Sequence, residues 1–337
     1  MPPAFEKPEG AFLPSEPQAS ERAISGCVPR RGLAVAFWLV SCFREAELVP
    51  DRTVVESVQE VLERAVRARG AALMAVLNVT PDSFSDGGLF TDPSAARAQI
   101  DRFLEEGAEI IDIGPESSRP GSSPVPSELQ LTRAEPSLRY ALERGALVSI
   151  DTTSQAVARA CLKMGVHIVN DVSCLGDEDL ARVVRDSDAH LILMHSRGSM
   201  QSMSFSSYPS DAYEDPVRDV RDEWERARDR AVRAGLHPER IWFDPGLGFH
   251  KSAEHSLEIL RRLSEFRGLE APIVVGASRK SFLRGFQGES PARRLGGSIA
   301  AALHAVSAGA SVLRVHDVHE TSQALGVMHA LKRGLDA

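Results

Sequence analysis

The sequence predicts an α/β protein, a (β/α)₈ TIM barrel with an N-terminal extension, and three observations carry that reading. Eight short apolar runs recur along the chain, each ending in a polar residue or a glycine. Segments with apolar residues at helical spacing separate them. The runs are almost wholly apolar, so both faces of each strand are covered, as in a parallel sheet wrapped by helices. An open doubly wound sheet is the competing architecture, but no G-x-G-x-x-G follows the first strand.

Residues 1–70 are expected to be the extension. Pro2, Pro3, Pro8, Pro14 and Pro17 fall in a stretch with little periodic hydrophobicity, which reads as a disordered tail. Residues 32–43 form an apolar run behind Arg30 and Arg31. The run lies too far from the start for a signal peptide and is too short to span a bilayer, so it is expected to plug the bottom of the barrel. Residues 54–68 read as an amphipathic helix, with Val55, Val58, Val61, Leu62 and Ala65 on one side.

The barrel is expected over residues 71–337. Its strands are read at 72–78, 109–114, 147–151, 167–171, 191–195, 241–244, 273–276 and 312–316. Helical spacing shows between them, for instance at Leu257, Leu260 and Leu263, and again at Ile299, Leu303 and Val306. In such a barrel the active site is built at the C-terminal ends of the strands, which is where the polar residues fall.

Composition narrows the function. A net charge of −8 argues against a general affinity for nucleic acid, so an anionic ligand has to be held by local positive charge. Cys27, Cys42, Cys161 and Cys174 make no C-x-x-C pair and no zinc spacing with the ten histidines, and read as reduced thiols of a cytoplasmic protein. There is no H-E-x-x-H.

The most informative stretch is 77–88, L-N-V-T-P-D-S-F-S-D-G-G, where a strand runs into a loop dense in donors and acceptors around Phe84. Alone it is open to being an ordinary turn. Likewise any one of Asp112, Asp151, Asn170 and Asp244 is open to a capping role just after a strand. Capping does not explain the set, because Asp151 and Asp244 are each followed by further motif residues.

Together with I-D-I-G-P-E-S-S-R-P-G at 111–121, S-I-D-T at 149–152, H-I-V-N-D at 167–171, D-P-G-L-G-F at 244–249, S-R-K-S at 278–281 and R-V-H-D at 314–317, that stretch resembles the dihydropteroate synthases. The resemblance covers residues 71–331. It implies a folate-pathway transferase and sulfonamide target that joins a pterin methyl diphosphate to p-aminobenzoate with release of diphosphate. It also implies Mg²⁺ as cofactor, small-molecule substrates and a homodimer, with no nucleic acid or membrane partner.

Residue by residue, the resemblance places the pterin on Asp151, Asn170, Asp244 and Lys280, and the diphosphate on Ser118, Arg119, Arg314 and His316. It places p-aminobenzoate at Phe84, Pro120 and Ser281, puts Mg²⁺ at Asn78, and makes Lys280, Arg314, His316 and Asp86 catalytic. The residue types suit this chemistry. A pterin edge carries adjacent N–H donors and a carbonyl, which carboxylates, an amide and a lysine can match. A diphosphate leaving group needs cations more than a nucleophile. The loops carrying Phe84 and Asp86, and Arg119 and Pro120, are expected to close over the site and exclude water.

Arg314 lies in an apolar run, where an unpaired arginine is expensive, and this favours an anionic ligand as its partner. Arg314→Met is accordingly expected to leave folding nearly unchanged. Three positions depart from the family pattern: Pro115 in place of a second glycine, Ser118 in place of threonine, and His250 in place of a glycine before Lys251. Two other readings compete, a corrinoid-linked methyltetrahydrofolate methyltransferase and a non-catalytic pterin-binding paralogue. The phosphate-directed residues Ser118, Arg119, Arg314 and His316 speak against the first, and the full set of contact residues against the second.

Overall fold

The structure is a computed structural model, which describes residues 56–80, 93–117, 124–198, 208–286 and 290–333. Eight parallel strands run β1 (Ala72–Asn78), β2 (Ile110–Gly114), β3 (Leu147–Asp151), β4 (Ile168–Asp171), β5 (His190–Met194), β6 (Ile241–Asp244), β7 (Val274–Val275) and β8 (Val312–Val315). Their order in the sheet is β6-β5-β4-β3-β2-β1-β8-β7. The two ends of that sheet meet: Phe243 bridges Ile273 in parallel, and the Phe243 N–H donates to the Pro272 carbonyl at 2.9 Å. The sheet is therefore a nearly closed barrel, and the doubly wound alternative is overturned by that contact.

A helix follows every strand: α2 (Pro93–Glu105), α3 (Ser127–Glu143), α4 (Gln155–Lys163), α5 (Asp179–Arg185), α6 (Pro216–Arg233), α7 (Ala253–Arg261), α8 (Leu295–Ala308) and α9 (Val318–Arg333). Local signals set several starts. Ser154 caps α4, Asp215 caps α6 just before Pro216, and Ser252 with His255 forms a capping box on α7. Leu263, read as part of a helix, lies instead in the 3₁₀ segment Leu263–Leu269 that follows α7.

Side chains alternate along each strand, and the alternation builds the site. Outward residues such as Ile111, Ile113, Val148 and Ile150 join the core between strands and helices. Inward residues near the strand starts are apolar and form a separate cluster: Met74, Ile110, Leu147, Ile168, Ile192, Trp242, Val274 and Val312. One register step further along, the inward residues are Asp112, Ser149 and Asn170, so apolar filling gives way to polar groups within a single strand repeat.

The lower cluster is completed by α1 (Val58–Arg69), which precedes β1 and buries Val58, Val61, Leu62 and Ala65 in it. Ser57 and Glu60 form its capping box, and Gly70 ends it at φ 95°. Burying Val61 and Leu62 contributes about 1.5 to 3 kcal/mol each. Among the described residues this helix closes the floor. The apolar run 32–43, expected there, lies outside the described residues, as do Val55, Cys27 and Cys42. Cys161 and Cys174 are free thiols. No helix among the described residues is long and apolar enough to cross a membrane.

Candidate active site

The strand ends bring together the residues that the sequence singles out as pterin-facing. Asp151 and Asp244 close β3 and β6, Asn170 is the last residue but one of β4, Arg314 projects from β8, and Lys280 follows β7. Asn170, Asp244, Lys280 and Arg314 line one opening with Val172, Met194 and Phe249, whose empty volume, with the solvent at its mouth, is about 280 Å³. The Lys280 ammonium stands 3.9 Å from the centre of the Phe249 ring, a cation–π contact.

Arg314 is already paired within the protein, where the sequence favours an anionic ligand as its partner. Its Nε donates to Asp112 Oδ2 at 2.7 Å and its Nη2 to Asp151 Oδ2 at 2.8 Å. Asp112 is wholly buried, and Asn170 Nδ2 reaches the same oxygen at 3.4 Å. The other oxygen, Asp112 Oδ1, is buried and accepts no hydrogen bond among the described residues. Asp112 is therefore no helix cap but the inner anion of an Asp–Arg–Asp triad. The reasoning that methionine would suit position 314 fails with it, because two buried carboxylates would lose their counter-ion.

The ionisation of the group follows from burial and mutual charge. Burial raises the Asp151 carboxyl; Arg314 opposes this, and Asp112 adds to it. Burial also raises Asp244 against the Gly246 N–H, which donates to its Oδ1 at 2.7 Å. Burial and the adjacent Arg314 push Lys280 down to about 7, with Asp244 and Asp151 pulling the other way. Burial works against the Arg314 charge as well, but Asp112 and Asp151 hold it above the ordinary arginine value.

Gly246 is required by geometry. It sits at φ 66°, and a Cβ there would fall 2.0 Å from the His195 carbonyl oxygen.

His316, just past β8, meets the Ser278 hydroxyl twice, through its backbone N–H at 3.2 Å and Nδ1 at 3.1 Å. A hydroxyl that accepts the first can donate to the second, a pairing that leaves the ring proton on Nε2. The intervening Arg279 adopts φ 58°, unusual for a residue with a Cβ. It is held there by Asp317 at 2.5 Å, by Ser298, which accepts from its N–H, and by Arg294, which donates to its carbonyl. Lys280 and Ser281, where a 3₁₀ turn begins, follow directly.

Asn78 ends β1 with its Oδ1 lying across Gly114, where a Cβ would come within 3.1 Å of it. No group of three or more histidine, cysteine, aspartate or glutamate side chains able to hold a metal occurs among the described residues. Phe84, Asp86, Ser118, Arg119 and Pro120 lie outside the described residues.

Two departures from the family pattern have local explanations. His250 takes φ 46°, a left-handed conformation that glycine adopts freely, and is secured by Ser196 on Nδ1 at 2.9 Å and by the Tyr213 hydroxyl on its carbonyl at 3.1 Å. Pro115 is buried, and its carbonyl accepts from Arg133. The neighbouring Glu116, absent from the sequence reading, accepts from the Val125 N–H at 2.7 Å and from Gln130 at 3.1 Å, and so ties residue 116 to residue 125 across the loop.

The chain as a whole is similar to proteins already characterised. The family described as "Pterin binding enzyme" matches residues 74–316. Among curated relatives, the dihydropteroate synthase of Escherichia coli is 36% identical over 259 residues, 77% of this chain and 90% of that one. The crystal structure of Yersinia pestis dihydropteroate synthase in a sulfonamide complex superposes with a TM-score of 0.74 at 35% identity, covering 78% of this chain and 95% of that one. The Clostridium difficile dihydropteroate synthase, crystallised in the presence of pteroic acid, gives 0.71 at 36% identity, covering 79% and 98%. With the barrel, the strand-end motifs and these likenesses in agreement, the chain belongs to the dihydropteroate synthases, the pterin-binding transferases of folate biosynthesis.

Proposed function

We propose that this chain condenses 6-hydroxymethyl-7,8-dihydropterin diphosphate with p-aminobenzoate at the mouth of its barrel, giving 7,8-dihydropteroate and diphosphate. The observation that carries the reading is the meeting of Asp151, Asn170 and Asp244 with Lys280 and Arg314 around one opening. In it the carboxylates and the amide take the donor edge of the pterin, Lys280 takes its carbonyl, and Phe249, Val172 and Met194 supply apolar wall.

The amine nitrogen of p-aminobenzoate attacks the pterin methylene carbon as its bond to the diphosphate oxygen breaks. The bonding pair leaves with the diphosphate, and the secondary ammonium formed at the nitrogen gives its proton to the released diphosphate or to water, leaving the secondary amine. No side-chain nucleophile is needed; the chain's task is orientation and charge stabilisation. Arg314 and Lys280 face the leaving group from one side, and His316 presents its Nε2 proton to it. Ser118 and Arg119 would contribute further donors, and Asp86 would act with the closing loop. Ser281, Phe84 and Pro120 would hold the aromatic amine.

Mg²⁺, when bound, would supply charge to the leaving diphosphate. It takes few protein ligands where phosphate oxygens provide the rest, and the Asn78 amide oxygen suits that role. We further propose a cytoplasmic homodimer. Its support is the apolar exposure of Val327 and Leu331 on α9, at 57% and 79%.

Purified protein with Mg²⁺ is expected to release diphosphate from the pterin substrate only when p-aminobenzoate is supplied. Amine-independent release, or tight binding of methyltetrahydrofolate with indifference to diphosphate, would overturn the reading. Sedimentation of the full chain tests the dimer; a single monomeric species at micromolar concentration would exclude it.

A further inference from the structure

Lys251 is wholly buried and takes no direct part in the reaction described above. An ammonium group is costly to remove from water unless its donors are used. Here its Nζ donates to His195 Nδ1 at 2.9 Å, to the His195 carbonyl at 3.2 Å and to the Phe249 carbonyl at 3.1 Å. Because Nδ1 accepts, the His195 proton sits on Nε2, which donates to Glu223 on α6 at 2.9 Å. Arg197 grips the same carboxylate through Nε at 3.1 and 3.0 Å. A continuous line of hydrogen bonds thus runs from the barrel interior to an outer helix.

Of the two carbonyls that Lys251 gathers, one belongs to Phe249 of the cleft wall and the other lies directly behind that wall. Phe249 lies beneath the Lys280 ammonium, and His195 directly follows Met194. Between them, Gly246 lets the His195 carbonyl approach, while its N–H fixes Asp244. Without Lys251 the bonds that join the His195 and Phe249 carbonyls would be lost, and the segment carrying Asp244 and Phe249 would lose one of its ties to the end of β5, beside the bond from the His195 N–H to the Asp244 carbonyl at 2.8 Å. We propose that Lys251 is the positioning residue of this wall, and that His195 and Glu223 form the outer arm that holds its ammonium in place. The inference rests on the pterin lying in this cleft.

Such a device acts on pterin affinity more than on the rate of the bound complex. Calorimetry of the full chain with pterin diphosphate, without p-aminobenzoate, tests it in Lys251→Met. Dissociation is expected to rise by about tenfold or more, with kcat at saturating substrates within about threefold of wild type. Glu223→Gln, on the half-buried outer arm, covers the case in which the lysine variant does not fold. It is expected to weaken pterin binding by about threefold, with a thermal midpoint close to wild type.

Wild-type affinity in Glu223→Gln overturns the proposal, as does a folded Lys251→Met that loses thermal midpoint but binds normally, or loses kcat instead of affinity. Asp151→Asn serves as the control. If it too binds pterin normally, the placement of the pterin has failed; if it binds weakly while the Lys251 and Glu223 variants bind normally, only this inference has failed.

Discussion

Replacing Arg314 by methionine removes the cation that joins Asp112 to Asp151, and the consequences separate into two measurable parts. The first concerns folding. Breaking a buried ion pair by deleting one partner costs about 3 to 5 kcal/mol, because a buried charge is left uncompensated. At a few degrees per kcal/mol in a domain of this size, the thermal midpoint should fall by on the order of 10 °C.

This loss depends on pH with a definite sign. Asp151 is already raised above the ordinary value of 3.8, and without Arg314 it rises further. A carboxyl whose folded pKa is raised favours the folded state fully below the ordinary value and loses that contribution as pH climbs through the raised one. The gap in midpoint between wild type and Arg314→Met should therefore widen from acid to neutral pH.

The second part concerns catalysis. If the guanidinium also stabilises charge growing on the diphosphate, kcat should drop by about 10² to 10³, the size of removing one preorganised donor. Both effects occur in the single variant, so Arg314→Met with Asp112→Asn is the decisive protein. Neutralising the inner carboxyl should restore a substantial part of the midpoint while leaving turnover low. Differential scanning fluorimetry and steady-state diphosphate release on the same preparations give both numbers. Near-normal turnover in the double variant would refute a role in catalysis, and an unchanged midpoint in the single variant would refute the triad.

Asp151→Asn keeps the size of the side chain but adds a donor where the pterin presents donors. Its affinity for pterin by calorimetry should fall by about one to two decades, and a value within about twofold of wild type would make Asp151 purely structural. Lys280 titrates at about 7 in the free protein, and a bound carbonyl and diphosphate favour its ammonium form. Pterin diphosphate binding above neutrality should accordingly take up a proton and weaken with rising pH by up to about one decade per unit, read from calorimetry in buffers of differing ionisation enthalpy. A buffer-independent heat would exclude Lys280 as the titrating contact. Glu116→Ala releases the tie between residues 116 and 125 and should raise KM for p-aminobenzoate by about threefold to tenfold while pterin affinity holds, a part of the about 1.5 to 3 kcal/mol that a hydrogen bond to a charged group contributes. Equal losses for both substrates would mean that Glu116 supports the barrel at large.

Much of this arrangement was legible in the sequence because strand ends announce themselves. Asp151, Asn170 and Asp244 each terminate an apolar run, and a barrel gathers such positions at one mouth whatever lies between them. What stayed hidden depended on distance along the chain. Asp112 and Arg314 are separated by 202 residues, and nothing local distinguishes an aspartate that meets an arginine from one that caps a helix. Lys251 was equally silent, since its partners are His195, just past β5, and the backbone of its own loop. Arg279 carries a left-handed backbone that no glycine marks. The strand at 273–276 was also overread: four apolar or small residues suggested a run of four, but β7 is the two-residue Val274–Val275, with Ile273 in an isolated bridge beside it.

That short β7 has a further consequence. The seam between β6 and β7 is spanned by little more than the Phe243–Ile273 bridge and the bond from Phe243 to Pro272, whereas every other neighbouring pair shares a longer ladder or a full two-residue register. Asp244 borders the seam on one side and Lys280 on the other. A planar heterocycle held by both would act as the missing rung, completing the hydrogen-bonded circle that the backbone leaves thin. Opening of the hoop and release of the ligand then become one event, and amide exchange around Phe243 and Val274 becomes a reporter of occupancy at the mouth.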